Sequence, residues 1–445
     1  MASNDSSPSG IHTQDEVNAI FASDSAYALR MYMQLVEDSE SPMSFYLWSL
    51  ISMAGGLLGR RCYFDNGPFN RIFPNQFIVL LGPSGVRKST SITTILKLIE
   101  QTTLNLGPTD TGGQRYGIMA AMQGLGRSHR RLNLSMNDAP LIAPMLASAA
   151  KNRPSADIYL ASSELGRLLG TASREMADFM TDIGDGQDIV YQTKMGEIRI
   201  SNVLASLLSA TTTSSLATML PESIIGHGLL SRFIFVYEDK KRKSIPLPKP
   251  PEDVWYARFE DFKYRLSSID AMTGPFDIAK DAASFYEIVY PYMPAINDSR
   301  MADYGQRRAI HLLKTAMALA ALRGYMRIEL TDMQLAHEML ATIEPRMHRA
   351  LDYVGRNKLI RGKMLMLEYL RQHPMGYSAT LMELCAIAAP ELVQFEAEIA
   401  IQQMLALGEL TNLGETYSLG TARNEFIKNR LIARKQTMIE GTPDE

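Results

Sequence analysis

The run Gly82-Pro83-Ser84-Gly85-Val86-Arg87-Lys88-Ser89-Thr90 has the residue types that hold a phosphate chain, at nearly the spacing that chemistry needs. A phosphate loop reads Gly, four residues, then Gly-Lys-Ser/Thr. Here Arg87 fills the second glycine slot. Lys88 would reach the β- and γ-phosphates of ATP, and the Ser89 hydroxyl would hold Mg²⁺. Gly82 and Gly85 would supply tight turning and close backbone approach. An arginine is tolerable in the glycine slot if it takes an ordinary helical conformation, since only a positive φ demands glycine. Its side chain would then point to solvent, a neighbouring subunit or nucleic acid.

Hydrolysis at such a loop also needs a carboxylate to orient water. "DIYLASSELG" places Glu164 just after an apolar strand, with Ser162 and Ser163 where an aspartate often stands. Glu164 is thus the expected catalytic carboxylate, acting on Mg²⁺ through water. Its bland alternative is a carboxylate favoured by a helix dipole. Asp157, ahead of that strand, is a weaker metal candidate. Thr211, Thr212 and Thr213 follow a second apolar run, where hydroxyls would sense the γ-phosphate or simply cap a helix. In "GHGLLSRFIFVYE", His227 is a sensor candidate and Arg232 a candidate finger toward a neighbour's γ-phosphate. A structural ion pair is the alternative for Arg232.

A phosphate loop must join a strand to a helix, so that loop amides and the helix N-terminus face the anion. "QFIVLL" (76–81) reads as the strand and "KSTSITTILKLI" as the helix. Further strands are expected at 158–161, through "EIRISNVLASLLSA" as one segment, and at 232–237. Strands alternating with helices imply an α/β fold with a mostly parallel sheet. "RCYFDNGPFNRIFPNQ" reads as a hairpin or short strands, and the proline-rich run near 244–253 as a boundary. "HLLKTAMALAALRG" is apolar on nearly every face, which suits a central bundle helix. After Leu359, three helical patterns and a small hairpin follow in winged-helix order.

The chain has 445 residues, 46% hydrophobic and 21% charged, with a formal net charge of −3. These values suit a globular protein with a real core, and no global positive field advertises nucleic acid. Cys62 and Cys385, far apart, fit a reducing compartment. The opening sixteen residues are polar, unlike a secretory signal. The apolar run 45–59 is shorter than the ~20 residues a membrane span needs.

"WSLISMAGGLLGRRCYF…IFPNQFIVLLGPSGVRKST", "ASSELGRLL", "LPESIIGHGLLSRFIFVYEDKKR" and "HLLKTAMALAAL" occur in an order that resembles a family of phage and mobile-element proteins. That family carries RecA-like P-loop ATPase domains and is described as primase–helicase or replicative-helicase-like, largely as a domain of unknown function. The resemblance covers about residues 44–323. It implies ATP hydrolysis with Lys88 and Ser89 at the phosphates, Glu164 as the carboxylate and Arg232 as a finger. The family's loop often has Arg before Lys, as at Arg87. Many relatives carry an upstream primase module; about 25 residues precede the first expected helix here, so priming is expected from a separate protein.

The expected divisions are a flexible tail (1–23), an N-terminal helical segment (24–75), a RecA-like P-loop ATPase (76–250), a helical lid or bundle (251–355), a winged-helix-like domain (356–422) and a C-terminal helix and tail (423–445). The leading functional expectation is an Mg²⁺-ATP-driven helicase or translocase, forming a hexameric ring and acting on DNA in the cytoplasm of a bacterial host. Basic patches that would meet phosphates are Arg127, His129, Arg130 and Arg131, then Arg356, Lys358, Arg361 and Lys363, then Lys428, Arg430, Arg434 and Lys435; such a patch is more often merely a solvated face. A helicase loader or initiator is the alternative class. A DNA-packaging motor ranks third, for want of a nuclease-like acidic cluster.

Overall fold

The computed structural model describes residues 12–104, 156–166, 174–193, 196–220, 228–247, 251–293, 301–351, 358–374, 376–389 and 391–419. His227, Arg127, His129, Arg130, Arg131, Arg356, Lys428, Arg430, Arg434 and Lys435 lie outside them. The chain divides into two compact units, 1–354 and 355–445. The first takes in what the sequence suggests as four separate segments, from the tail to the helical lid or bundle.

The amino-terminal part of the first unit is helical: α1 (Gln14–Ala22), α2 (Tyr27–Leu35) and α3 (Met43–Leu58). α1 corrects the expectation of a flexible tail through residue 23. Its signal was in the sequence: Thr13 and Glu16 form a reciprocal capping box, which satisfies two orphan amides. His12, just ahead, is buried and meets Glu338 at 2.6 Å. The apolar run at 45–59 lies within α3, which is buried on most of its faces. A Cβ on Gly56 would stand 2.5 Å from the Tyr159 ring, so the helix lies directly on the sheet. No described helix is long and apolar enough to cross a membrane.

β1 (Cys62–Asp65) and β2 (Arg71–Ile72) form an antiparallel hairpin. Next come β3 (Phe77–Leu81), α4 (Lys88–Leu104), β4 (Ala156–Ser162) and α5 (Arg174–Asp185). The segment expected as one strand from Glu197 is two. β5 (Ile189–Thr193) and β6 (Gly196–Ile200) make an antiparallel pair, and β7 (Val203–Thr211) begins afresh. The break falls at Asn202, which has φ +57° and whose amide donates to Asp188. Asparagine is among the few side chains that enter this region readily. α6 (Thr213–Met219) and β8 (Phe233–Tyr237) follow.

β3, β4, β7 and β8 form an all-parallel sheet in the order β4-β7-β3-β8. Every residue of β3 and β7 is buried, as expected of strands covered on both faces. The fold is therefore mixed α/β around a parallel sheet. Its carboxyl edge gathers the ends of all four strands.

α7 (Asp253–Asp270), β9 (Gly274–Pro275), β10 (Asp277–Ile278), α8 (Lys280–Val289), α9 (Ala302–Arg323), β11 (Arg327–Ile328) and α10 (Leu330–Met347) complete the first unit. α9, the bundle helix expected from its all-round apolarity, packs on α3 and α10. It also carries fully buried Arg308, whose charge is answered by Glu344 at 2.6 Å.

His311 on α9 donates from Nε2 to the Ser231 carbonyl at 2.8 Å. Burial, ahead of a smaller push from nearby Lys314, Arg307 and Arg308, holds its pKa down at about 3. Burial, with Arg308 next, does the same for His337. Both are neutral in the folded protein, while the unfolded chain takes up protons near pH 6.5. Stability should therefore be lost as pH falls from about 6.5 toward 3, by roughly 1–2 kcal/mol per histidine between pH 7 and 5. Thermal unfolding of His311→Gln across that range should show a shallower decline than the native chain; an identical slope would exclude His311 as a source.

The second unit contains α11 (Lys358–Gln372), β12 (Ala379–Thr380), α12 (Leu381–Ala388), α13 (Gln394–Ala406), β13 (Leu410–Asn412) and β14 (Thr416–Leu419). β12 joins the hairpin to give the sheet order β12-β14-β13. This is winged-helix order with the short first strand added. Its core includes Met366, Leu370, Leu384, Leu392 and Ile401.

Candidate nucleotide site

The loop 82–87 leaves the carboxyl end of β3 and enters α4 at Lys88. Gly82 is required by close approach: a Cβ there would sit 2.1 Å from the Glu238 carbonyl oxygen. Gly85 has φ +88° with open space around it, so conformation selects the glycine. Val86 is buried beneath the loop, while Ser84, Gly85, Ser89 and Thr90 are exposed. Pro83 is partly exposed. Lys88 donates to the carbonyls of Gly82 at 2.6 Å and Pro83 at 2.8 Å. Burial lowers its pKa, and the negative charge of Glu164 partly restores it.

Arg87 departs from expectation. Its φ is +65°, not helical. The position keeps the left-handed backbone that favours glycine, although the side chain has changed. The guanidinium is anchored on Glu40 at 2.7 Å. Glu40 also takes the Lys241 ammonium and the Ile245 amide, both at 2.9 Å. It therefore ties the loop to the segment after β8. The Ile245 amide, then Lys241 and Arg87, hold the Glu40 pKa down at about 2.

A left-handed arginine costs about 1 kcal/mol or more, and an ion pair with a half-exposed guanidinium returns little of that. Arg87→Gly should therefore leave thermal stability within about 1 kcal/mol of the native value, because glycine relieves the strain as the pair is lost. Arg87→Ala should be less stable, since it keeps the strain and loses the pair. Nucleotide titration should find Arg87→Gly within a few-fold of native affinity; a loss of tenfold or more would show that the guanidinium itself serves the ligand. The contribution of Glu40 is present above about pH 4.5 and is lost as pH falls toward 2, the sense required of a depressed carboxylate.

Glu164 lies two residues past the end of β4. Ser162 fixes that turn: its hydroxyl donates to the Glu164 carbonyl and accepts from the Glu164 amide. The Leu165 amide donates to Ala210 of β7 at 2.8 Å. Thr211, buried at the end of β7, donates to the Glu164 carboxylate at 3.4 Å. In register, Thr211 stands beside Leu81, the last residue before the loop. Lys88, Glu164 and Thr211 thus converge although 123 residues separate the first from the last in sequence. Thr212 does not join them; its hydroxyl caps α6 by accepting from the Ser215 amide.

Two candidates are placed elsewhere. Asp157 is near the amino end of β4 and accepts from the Arg60 amide at 3.0 Å. At ~3.3 Å per residue, five residues of strand put it roughly 16 Å from the carboxyl edge. Asp157, expected ahead of the strand as a weaker metal candidate, therefore lies inside β4 and away from the loop. Arg232 lies in a 3-10 turn before β8, at the amino edge of the sheet, and does not begin the strand. It is largely buried and forms a two-point pair with Asp185, which Arg307 also holds. The guanidinium expected as a free finger is therefore committed within its own chain.

Sequence reasoning passed over Glu40 and Glu238. Glu238 accepts from Ser44 at 2.7 Å and from Arg346 at 2.8 Å beside the loop. Neither carries a motif, because each acts through partners remote in sequence. The basic run Lys240–Lys243 did stand in plain view; it follows β8 at the carboxyl edge. In the second unit, Arg361 lies on α11, and the Lys363 ammonium donates to Gln403 at 2.6 Å.

Among the described residues no group of three or more His, Cys, Asp or Glu could hold a metal ion. The oxygen donors at the loop are Ser89 and Glu164, a sparse set of the kind that suits Mg²⁺ held mainly by phosphates and water. No protein-family model matches the chain, and no curated protein matches it.

Proposed function

We propose that this protein is an Mg²⁺-dependent ATPase with a P-loop core of the RecA-like kind, and that it works as a DNA helicase or translocase in phage or mobile-element replication. One observation carries the ATPase reading: a strand–loop–helix with Lys88 at its end shares one sheet edge with Glu164 and Thr211. In open parallel sheets, ligands bind in the crevice outside the carboxyl ends of the strands. Loop amides and the start of α4 would cradle the β-phosphate. Lys88 would exchange its loop carbonyls for phosphate oxygens. Glu164, oriented by Thr211 and by the Ser162 turn, would accept the hydrogen bond of the attacking water. Ser89 would hold Mg²⁺, with Glu164 acting through water, and the ion when bound would neutralise charge on the phosphates.

The DNA-motor part rests on the family resemblance, as does a homo-oligomeric, hexameric ring. Arg232 no longer argues for that ring. The second reading, a non-motor ATPase that loads a helicase through protein contacts, is favoured by the second unit: residues 376–419 carry no lysine, arginine or histidine to meet DNA phosphates. ATP turnover measured with and without single-stranded or forked DNA, alongside strand displacement, separates the two. A motor shows DNA-stimulated turnover and unwinding; a loader shows neither alone. Absence of ATP binding would remove both.

A further inference from the structure

The winged-helix order of the second unit suggests that α13 reads DNA, yet its chemistry is wrong for that. Between residues 376 and 419 there are six glutamates, Glu383, Glu391, Glu396, Glu398, Glu409 and Glu415, and no cationic side chain. Phosphate contacts dominate DNA affinity and require lysine or arginine. α13 instead shows solvent an apolar stripe. Phe395 is 70% exposed, and Ile399, one turn on, is also exposed. With Leu381, Gln402, Ala406 and Tyr417 they line an open groove of about 530 Å³, in which Glu398 is the charged residue. Contiguous exposed apolar surface marks an interaction site.

What covers it is suggested by the sequence that follows. β14, which supplies Tyr417 to the groove wall, ends at Leu419. The next residues lie outside the described ones, but their composition complements the groove. Between 423 and 439 stand Arg423, Lys428, Arg430, Arg434 and Lys435 against Glu425 alone, interspersed with Phe426, Ile427, Leu431, Ile432 and Met438. An anionic, apolar groove is followed within a few residues by a cationic, apolar segment. The short connection gives that segment a high effective concentration at the groove.

We propose that the α12–α13 groove is a docking site for residues 423–439 of the same chain, with Phe395 and Ile399 taking the apolar side chains and Glu398 meeting an arginine or lysine. The proposal is independent of any nucleotide chemistry in the first unit.

Limited trypsin digestion of the full chain tests it, because trypsin cuts after the five cations of that segment. Docked, the segment should be cut slowly; Phe395→Ser with Ile399→Ser should raise its cleavage rate at least tenfold. Both positions are exposed, so circular dichroism and cleavage elsewhere should not change. Equal rates in native and doubly substituted chains would overturn the proposal. Protection that grows with protein concentration would overturn it in favour of docking onto a second copy. A photo-crosslinker placed at position 395 gives an independent reading: an adduct within residues 423–439 of the same chain supports the proposal, and adducts confined to another protein or to added DNA overturn it.

Discussion

Lys88→Ala is expected to abolish ATP turnover, with loss of at least 10³-fold. The reason is geometric as well as electrostatic. Lys88 is the first residue of α4, and its ammonium already spans the loop to the carbonyls of Gly82 and Pro83. It is half-buried beside Glu164, and burial lowers its pKa. A cation already stripped of part of its water interacts more strongly with phosphate charge than an exposed one. Removing it would take away the positive charge that the proposed site offers to the β- and γ-phosphates. The fold should survive, because the pairing of β3 with β7 and β8 does not depend on Lys88. Steady-state turnover and nucleotide binding on the purified variant measure this directly. A variant keeping most of its turnover would mean that the loop holds no nucleotide.

Glu164→Gln is expected to separate binding from hydrolysis. The amide preserves size and can still accept from Thr211, so the Ser162 turn and the Leu165–Ala210 bond should persist. What is lost is the carboxylate that, on the proposed reading, would take the hydrogen bond of the attacking water. General-base contributions run at roughly 10²–10⁴-fold, and a fall of that size is expected with near-native ATP affinity. Thr211→Val gives the companion measurement. It leaves the carboxylate but removes its 3.4 Å partner, so a smaller loss, about tenfold, should follow. Normal turnover in Glu164→Gln would sink the assignment. The amino-edge position of Asp157 then makes it a poor substitute, and another carboxylate on the carboxyl edge, Glu238 first, should be tested.

Local patterns in the chain carried several elements through to the structure. β3 and the loop into α4 were legible because five consecutive buried residues, a glycine-rich turn and a lysine leave few alternatives. The strand before Glu164 was legible for the same reason. α1 had a local signal as well, the Thr13-x-x-Glu16 capping box, set in a polar stretch that otherwise reads as a tail. The division of the segment after Glu197 was harder. β6 and β7 read as one β-rich run, and it is pairing with β5 on one side and with β3 and β4 on the other that separates them.

By itself the sequence determined that a glycine-rich loop would sit between a buried strand and a helix, that Glu164 would follow another strand, and that three helices and a small hairpin would come near the C-terminus. Each depends on neighbours a few residues apart, whose periodicity and turn chemistry are written in order along the chain. Only the tertiary structure decided that Thr211 joins Glu164 while Thr212 caps a helix, since that turns on which strand lies between β4 and β3. Only it showed Arg87 in the left-handed region with its charge spent on Glu40, 47 residues upstream, and Arg232 tied to Asp185 at the far edge of the sheet. Ion pairs and strand order depend on which distant segments share a surface. A side chain's type states what it can bind, and only the packed chain states which partner is within reach.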